Sequence, residues 1–231
     1  MGDPRLLVID TAGERCAVAL ADLRTGAILA RREPVVGRGH GDVVMDVVAE
    51  VLAEAGVSFA EIGRVAAVVG PGSFTGIRVA LAAAQGLVLS LGCEGVGVSA
   101  LEALAEPHFH SGLPVLAVHD ARRGEVFAAL YASDGELIAG PGAWEIERVA
   151  DALGDYRGPV LLVGSGAPVA LPHLPEARIA SALAEPTLEA CVSIASRPVD
   201  FRALPLRPLY LRGADAKTQA PAGLLVAAPA A

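Results

Sequence analysis

Gly70-Pro71-Gly72-Ser73-Phe74-Thr75-Gly76 decides how this chain is read. An apolar strand at 65–69 runs into a turn built on three glycines and a proline, and the turn opens a helix of apolar and small residues reaching 91. Backbone N–H groups, Ser73 and Thr75 thus gather at a helix N-terminus, where an anion is welcome. The turn is not a Walker loop, because Gly76 is followed by Ile77-Arg78 rather than Lys-Ser/Thr. Nor is it a nucleophile elbow, since Pro71 stands where that motif needs glycine. A plainer reading makes Gly72 and Gly76 parts of a tight turn and Ser73 or Thr75 a helix cap, worth about 1 kcal/mol, and this reading outweighs anion binding. A helix so apolar is expected to bury more than one side.

Outward from that turn, the first part of the chain alternates strands and helices. Apolar runs at 6–10, 16–21 and 27–36 read as strands, and apolar residues at helical spacing from Val43 to Ala55 read as a helix over 42–55, stopped by Gly56. Asp42, Asp46, Glu50 and Glu54 step by four along another face of that helix. A solvated surface is the bland reading of such a stripe, and a basic partner that relieves the like-charge repulsion is the sharper one. After Gly92 come a short strand at 96–98 and a helix at 100–105 capped by Ser99. The second half repeats the theme: strands at 115–119, 124–132 and 159–163, a helix at 144–153, and a helix starting near Pro186. Both halves open with a strand ending in an aspartate, Asp10 and Asp120, which suggests an internal duplication. The expected organisation is a first lobe at 1–106, a second at 107–213, and an Ala/Pro-rich mobile tail at 214–231.

Composition narrows the function classes. The 231 residues are 53% hydrophobic with 4% aromatics and a formal net charge of −8, and Lys217 is the only lysine. The mean hydropathy of +0.52 is high and favours extra burial against a partner. No uninterrupted apolar run reaches the ~18 residues of a spanning helix, and the N-terminus has no basic leader, so a cytoplasmic protein with no membrane contact is expected. Cys16, Cys93 and Cys191 are too widely spaced for a zinc site or a disulfide framework. An acidic chain with few aromatics lacks the basic, stacking face of a free-standing RNA binder. The five histidines show no metal-ligand spacing beyond His108-Phe109-His110, and no Ser/His/Asp set can be assembled from order alone. Two short patterns fit a nucleotide cleft: Asp10-Thr11 at a strand end, and Gly164-Ser165-Gly166 after another strand, where backbone can approach a ligand closely.

Six segments together resemble the TsaB family, also called YeaZ. They are Leu7-Val8-Ile9-Asp10-Thr11-Ala12, Gly70 to Arg78, Ala84-Gln85-Gly86-Leu87, Gly97-Val98-Ser99-Ala100-Leu101, Asp120 to Val126, and Pro208-Leu209-Tyr210-Leu211-Arg212, in the family's order and spanning nearly the whole chain. The resemblance implies an α/β, two-lobed fold of the actin, hexokinase and Hsp70 ATPase type, each lobe a mixed sheet flanked by helices. It implies a non-catalytic subunit in the making of threonylcarbamoyladenosine beside the anticodon of tRNA. The implied partner is TsaD, which carries the metal and the transferase site; the ATPase TsaE and the donor-forming TsaC are its functional links. A homodimer is implied when TsaD is missing, and tRNA is met only through the complex.

The residues agree with that picture at two points. The helix at 42–55 has Asp42, Asp46 and Glu50 where TsaD-like proteins bear histidines, and only His40 precedes it. The turn Asp120-Ala121-Arg122-Arg123 puts side chains where a phosphate needs open backbone. Asp10, Thr11, Asp120, Gly164 and Gly166 thus read as a degraded nucleotide cleft, with no cofactor of its own and ATP or ADP only at a complex interface. Gly76, Ala80 and Ala84 form one small-residue ridge and Ala82 and Gly86 another. One ridge packs in the core. The other, with Asp42, Met45, Asp46, Ala49 and Ala83, is the expected partner interface. The alternative is a small ATPase or kinase of the same fold, with Asp10 positioning a metal-bound phosphate and 164–166 against adenine.

Overall fold

A computed structural model describes residues 4–199 and 204–212; the expected tail at 214–231 lies outside the described residues. Strand β1 (Arg5–Asp10) is buried at every position but Arg5, as suits a central strand covered on both faces. It pairs antiparallel with β2 (Ala17–Asp22), which pairs antiparallel with β3 (Ile28–Arg32). Helix α1 (His40–Ala55) starts at Gly39 and stops at Gly56, both left-handed, and buries Val44, Val47, Val48, Val51 and Leu52. Strand β4 (Ile62–Gly70) then pairs parallel with β1, helix α2 (Phe74–Leu91) follows, and β5 (Glu94–Ser99) pairs parallel with β4. Helix α3 (Ala100–Ala105) is capped by Ser99, whose Oγ accepts from Glu102 N–H.

The second half repeats this plan strand for strand. Strand β6 (Val115–Arg122) pairs antiparallel with β7 (Glu125–Tyr131), and β7 with β8 (Leu137–Glu145). A 3-10 helix (Ile146–Leu153) leads to β9 (Leu161–Val163), parallel to β6. After the single-turn α4 (Ala167–Ala170), β10 (Arg178–Ser181) pairs parallel with β9, and α5 (Leu188–Ala195) ends the plan. The two sheets, β3-β2-β1-β4-β5 and β10-β9-β6-β7-β8, have the same connectivity. In each, the central strand opens the half and ends near an aspartate. The duplication suggested by Asp10 and Asp120 is therefore the organising symmetry of an α/β fold in which two mixed five-stranded sheets are each flanked by helices.

Packing shows how the halves interlock. In β6, Leu116 and Val118 face one core with Val149, Ala152, Ala167 and Ala170, while Val115 and Ala117 face another with Leu101, Leu104 and Ala105 of α3. Alternation along a strand sends neighbours to opposite faces, so each sheet needs two covers. In return, α5 packs Leu188, Cys191, Val192 and Ala195 into the core of the first sheet. A boundary at 106/107 thus misplaces α5, which the second half contributes to the first sheet. Arg64 of β4 pins it there: its guanidinium donates to Ala195 O at 2.7 Å and Arg197 O at 2.8 Å and pairs with Glu94, a cation at the helix C-terminus.

Two local readings are corrected. Residues 144–153 are not one helix: Trp144 and Glu145 complete β8, and the rest winds as a 3-10 helix. Its apolar Ile146 and Val149, three apart, suit a three-residue turn as well as an α-helical one. Helix α5, expected to start near Pro186, begins two residues later at Leu188, because Thr187 Oγ1 accepts from Ala190 N–H and sets the start there. Helix α2 is by length and composition apolar enough to cross a membrane, which the expectation from uninterrupted runs missed; here it buries Ile77, Ala80, Leu81, Ala84 and Leu87 against the sheet.

Candidate functional site

The glycine turn before α2 is clamped onto the end of β1. Ser73 N–H donates to Ala12 O at 2.7 Å, and Thr11 Oγ1 donates to Gly76 O at 2.7 Å. Ser73 caps the helix, its Oγ accepting from Gly76 N–H at 3.3 Å, while Thr75 is exposed in the first turn. The glycines follow from this closeness. A Cβ on Gly72 would lie 2.8 Å from Ala12 O, and one on Gly76 would overlap Thr11 O. The clamp and the cap engage two of the N–H groups at this helix start, those of Ser73 and Gly76, within the chain.

Asp10 lies beside this clamp, buried, with Oδ1 accepting from Ala12 N–H at 2.8 Å. Burial pushes its carboxyl up to about 6; the Ala12 N–H opposes that push, Glu185 and Glu33 add to it, and Arg15 counters them. The turn after Asp10 is filled from far along the chain. Glu185 Oε1 accepts from Glu14 N–H at 2.5 Å, Glu185 Oε2 accepts from Arg15 Nε at 2.6 Å, and Arg15 also donates to Pro186 O and to Glu33. Sequence reading missed Glu185 and Arg15, and no local pattern could have found them, because they meet across 170 residues. Burial also raises the nearby Cys16 thiol to about 11 and the Cys191 thiol well above its ordinary value. Both shifts disfavour the thiolate, the form in which a cysteine acts as a nucleophile.

Asp120, Gly164 and Gly166 form a second cluster at the end of β6. Asp120 N–H donates to Ser165 Oγ at 3.0 Å, its carboxylate accepts from Arg122 N–H at 2.8 Å, and Gly166 N–H donates to Val118 O at 2.9 Å. Gly164, at φ 98°, has no room for a Cβ against Val118 O, and one on Gly166 would lie 2.6 Å from Val118 Cγ1. These glycines let the β9–α4 turn sit against β6. Ser165 Oγ also lies 3.4 Å from His119 Nδ1, a pairing that residue order did not disclose. Burial lowers the His119 pKa. However, the Asp120 carboxylate is turned to Arg122, so it does not orient the imidazole as a catalytic triad requires. Among the described residues no three His, Cys, Asp or Glu are grouped to hold a metal ion. His40, which opens α1, is buried with Nε2 unpartnered there.

The third region is the outer face of α1 and α2. These helices pack side by side, and a Cβ on Gly41 would lie 3.7 Å from Val79 Cγ2. The ridge Gly76, Ala80 and Ala84 is buried on the sheet, whereas Ala82 and Gly86 are exposed and nothing lies within 4 Å of a Cβ on Gly86. Asp42, Met45, Asp46 and Ala49 are exposed on α1, and Ala83 is half-buried against the core. Leu89 is 87% exposed. Glu50 and Glu54 of the acidic stripe are paired with Arg32 of β3, which leaves Asp42 and Asp46 as the stripe's part nearest Met45 and Ala49.

Comparison with known proteins identifies this arrangement. The family model for TsaD, tRNA N6-adenosine threonylcarbamoyltransferase, matches residues 34–183. The chain is 39% identical over 132 residues to the Escherichia coli tRNA threonylcarbamoyladenosine biosynthesis protein TsaB, a match spanning 56% of each chain. It is 34% identical to an uncharacterized protein of Mycobacterium tuberculosis over 92% of this chain and 93% of that one. The structure of YeaZ from Pseudomonas aeruginosa superposes with a TM-score of 0.73 at 30% identity, covering 90% of this chain and all (100%) of that one. The chain therefore belongs to the TsaB (YeaZ) family, within the wider group that the threonylcarbamoyltransferase model describes.

Proposed function

We propose that this protein is a non-catalytic subunit in the biosynthesis of threonylcarbamoyladenosine in tRNA, and that it docks the transferase TsaD through the outer face of α1 and α2. The observation that carries this reading is that face itself. Met45, Ala49, Ala82, Gly86 and Leu89 leave a surface apolar and small enough for two further helices to approach closely. The two clusters that would have to do chemistry are instead satisfied internally, Glu185 on the Arg15 turn and Ser165 on Asp120 N–H. In this reading TsaE and the donor-forming enzyme TsaC act with TsaD, tRNA is met through the complex, ATP or ADP binds only at the subunit junction, and the same face makes a homodimer when TsaD is missing.

Gly86→Arg tests the docking. The position is exposed with open space around it, so the variant folds, whereas Arg at the half-buried Ala83 would also disturb the core. Co-expressed with TsaD, the parent chain co-elutes with it on gel filtration, and Gly86→Arg elutes alone with an unchanged melting curve. Undiminished co-elution of the variant would remove this face from the proposal.

A further inference from the structure

Aromatic side chains make up only 4% of this chain, yet two of them lie side by side in solvent. Phe74, the first residue of α2, is 57% exposed and Tyr210 is 51% exposed, and their rings stack at 25° with centroids 5.9 Å apart. Arg78, one turn along α2, lies over the Phe74 ring at 3.6 Å, and its Nε–H donates to the Tyr210 hydroxyl at 3.0 Å. Among the described residues no carboxylate pairs with Arg78, so its exposed charge is open to an outside anion. The row continues two residues after Tyr210. The Arg212 guanidinium lies 5.5 Å over the Phe127 ring and donates to Ala121 O, beside Arg122, whose side chain is 85% exposed on the left-handed turn between β6 and β7. Cations and rings thus alternate along one edge of a chain whose net charge is −8.

An apolar protein surface laid on these rings would bury the Arg78 charge without a partner, which is costly. An unpaired nucleotide meets both demands: its base covers an exposed ring face, and its phosphate takes the outer edge of the guanidinium. We infer that Phe74, Arg78 and Tyr210 form a stacking platform for an unpaired nucleotide of the tRNA, and that Arg122 extends the cationic track along its backbone. The inference rests on the reading of this chain as a subunit of a tRNA-modifying complex and gives it a local RNA contact. One such platform adds to the grip of a complex without making the acidic chain a free-standing RNA binder.

The test is fluorescence anisotropy of unmodified tRNA titrated with the complex of this chain and TsaD, between about 50 and 200 mM salt. Phe74→Ala weakens binding about tenfold at every salt concentration, as the loss of one stacked base does. Arg78→Gln weakens it and also lowers the slope of log affinity against log salt by about 0.7, the share of one phosphate on a single strand. Both positions are exposed, so both variants keep the parent's melting curve and co-elute with TsaD. Phe74→Leu keeps the apolar bulk without a ring. Binding as weak as that of Phe74→Ala supports stacking, and binding equal to the parent's overturns it. Phe74→Ala and Arg78→Gln chains that co-elute with TsaD and bind tRNA like the parent overturn this inference alone, as does a parent complex that binds no tRNA. Variants that lose TsaD instead assign the surface to the protein partner, which also overturns it. A parent chain that fails to co-elute with TsaD overturns the proposed function, and this inference with it.

Discussion

At the scale of single residues, Asp10 shows what the duplicated strand-end aspartate has become. Its carboxyl is buried with one backbone donor, Ala12 N–H, and faces Arg15, Glu33 and Glu185. The folded protein holds its proton up to about pH 6, whereas an exposed aspartate gives it up near 3.8. Between those values folding takes up a proton, so this group's contribution to stability falls as pH rises and stays unfavourable above pH 6. A shift of about two units corresponds to about 3 kcal/mol. Asp10→Asn keeps an acceptor for Ala12 N–H and discards the charge, so it should stabilise the chain by about 1–3 kcal/mol at neutral pH and flatten the stability profile between about pH 4 and 6. Urea melts across that range would show it. A variant weaker than its parent at neutral pH would mean that Arg15 already neutralises the charge. The aspartate at the strand end was legible from sequence. Its neutralising surroundings were not, because Glu185 and Asp10 meet only once α5 has folded back onto the first sheet.

At the scale of elements, α2 separates its two ridges of small residues by what they touch. Gly76 closes on Thr11 O and Gly86 faces open space. Gly76→Ala has to push the clamp apart and loses the Thr11 Oγ1 bond, at a cost of about 1–3 kcal/mol. Gly86→Ala adds helix propensity on an exposed turn and should gain up to about 1 kcal/mol. Chemical denaturation of the two variants checks the contrast, and equal effects would deny the ridges different roles. The four-residue spacing of both ridges was visible in the sequence, and one of them was expected to be core. Which one needed the sheet. Strands β1 and β4, apolar and buried on both faces, were read correctly, and so was the more exposed β3, which follows a plain turn. Strand β8 escaped notice because its Gly140-Pro141-Gly142 core reads as a turn and its Leu137 and Ile138 are exposed. It is a strand only because β7 supplies the partner, through two shifts of register.

For the whole molecule, the sequence carried the duplication in two aspartates, but not the exchange that joins the halves. Helices α3 and α5 pack across it, and the C-terminal segment 204–212 stitches it a second time. Gly97 N–H donates to Leu204 O at 2.6 Å and Leu209 N–H to Val69 O at 2.9 Å, with Leu204, Leu206 and Leu209 packed on the first core. Gln85 Nε2 holds Leu206 O at 2.7 Å, and Tyr210 stacks on Phe74 while its hydroxyl accepts from Arg78 Nε at 3.0 Å. From the next residue the segment belongs to the other half: Leu211 packs on the second core, and Arg212 pairs with Glu125. Three leucines partly withdrawn from water, at about 1 kcal/mol or more each, together with the bonds to β4 and β5, make this segment a tie between lobes. A chain ending at Val199 should therefore melt roughly 10 °C below one ending at Arg212. It should also lose the single cooperative transition, because the second lobe keeps fewer contacts with the first. Calorimetry of the two truncated chains distinguishes the outcomes. Coincident melting of both in one transition would show that α3 and α5 alone couple the lobes.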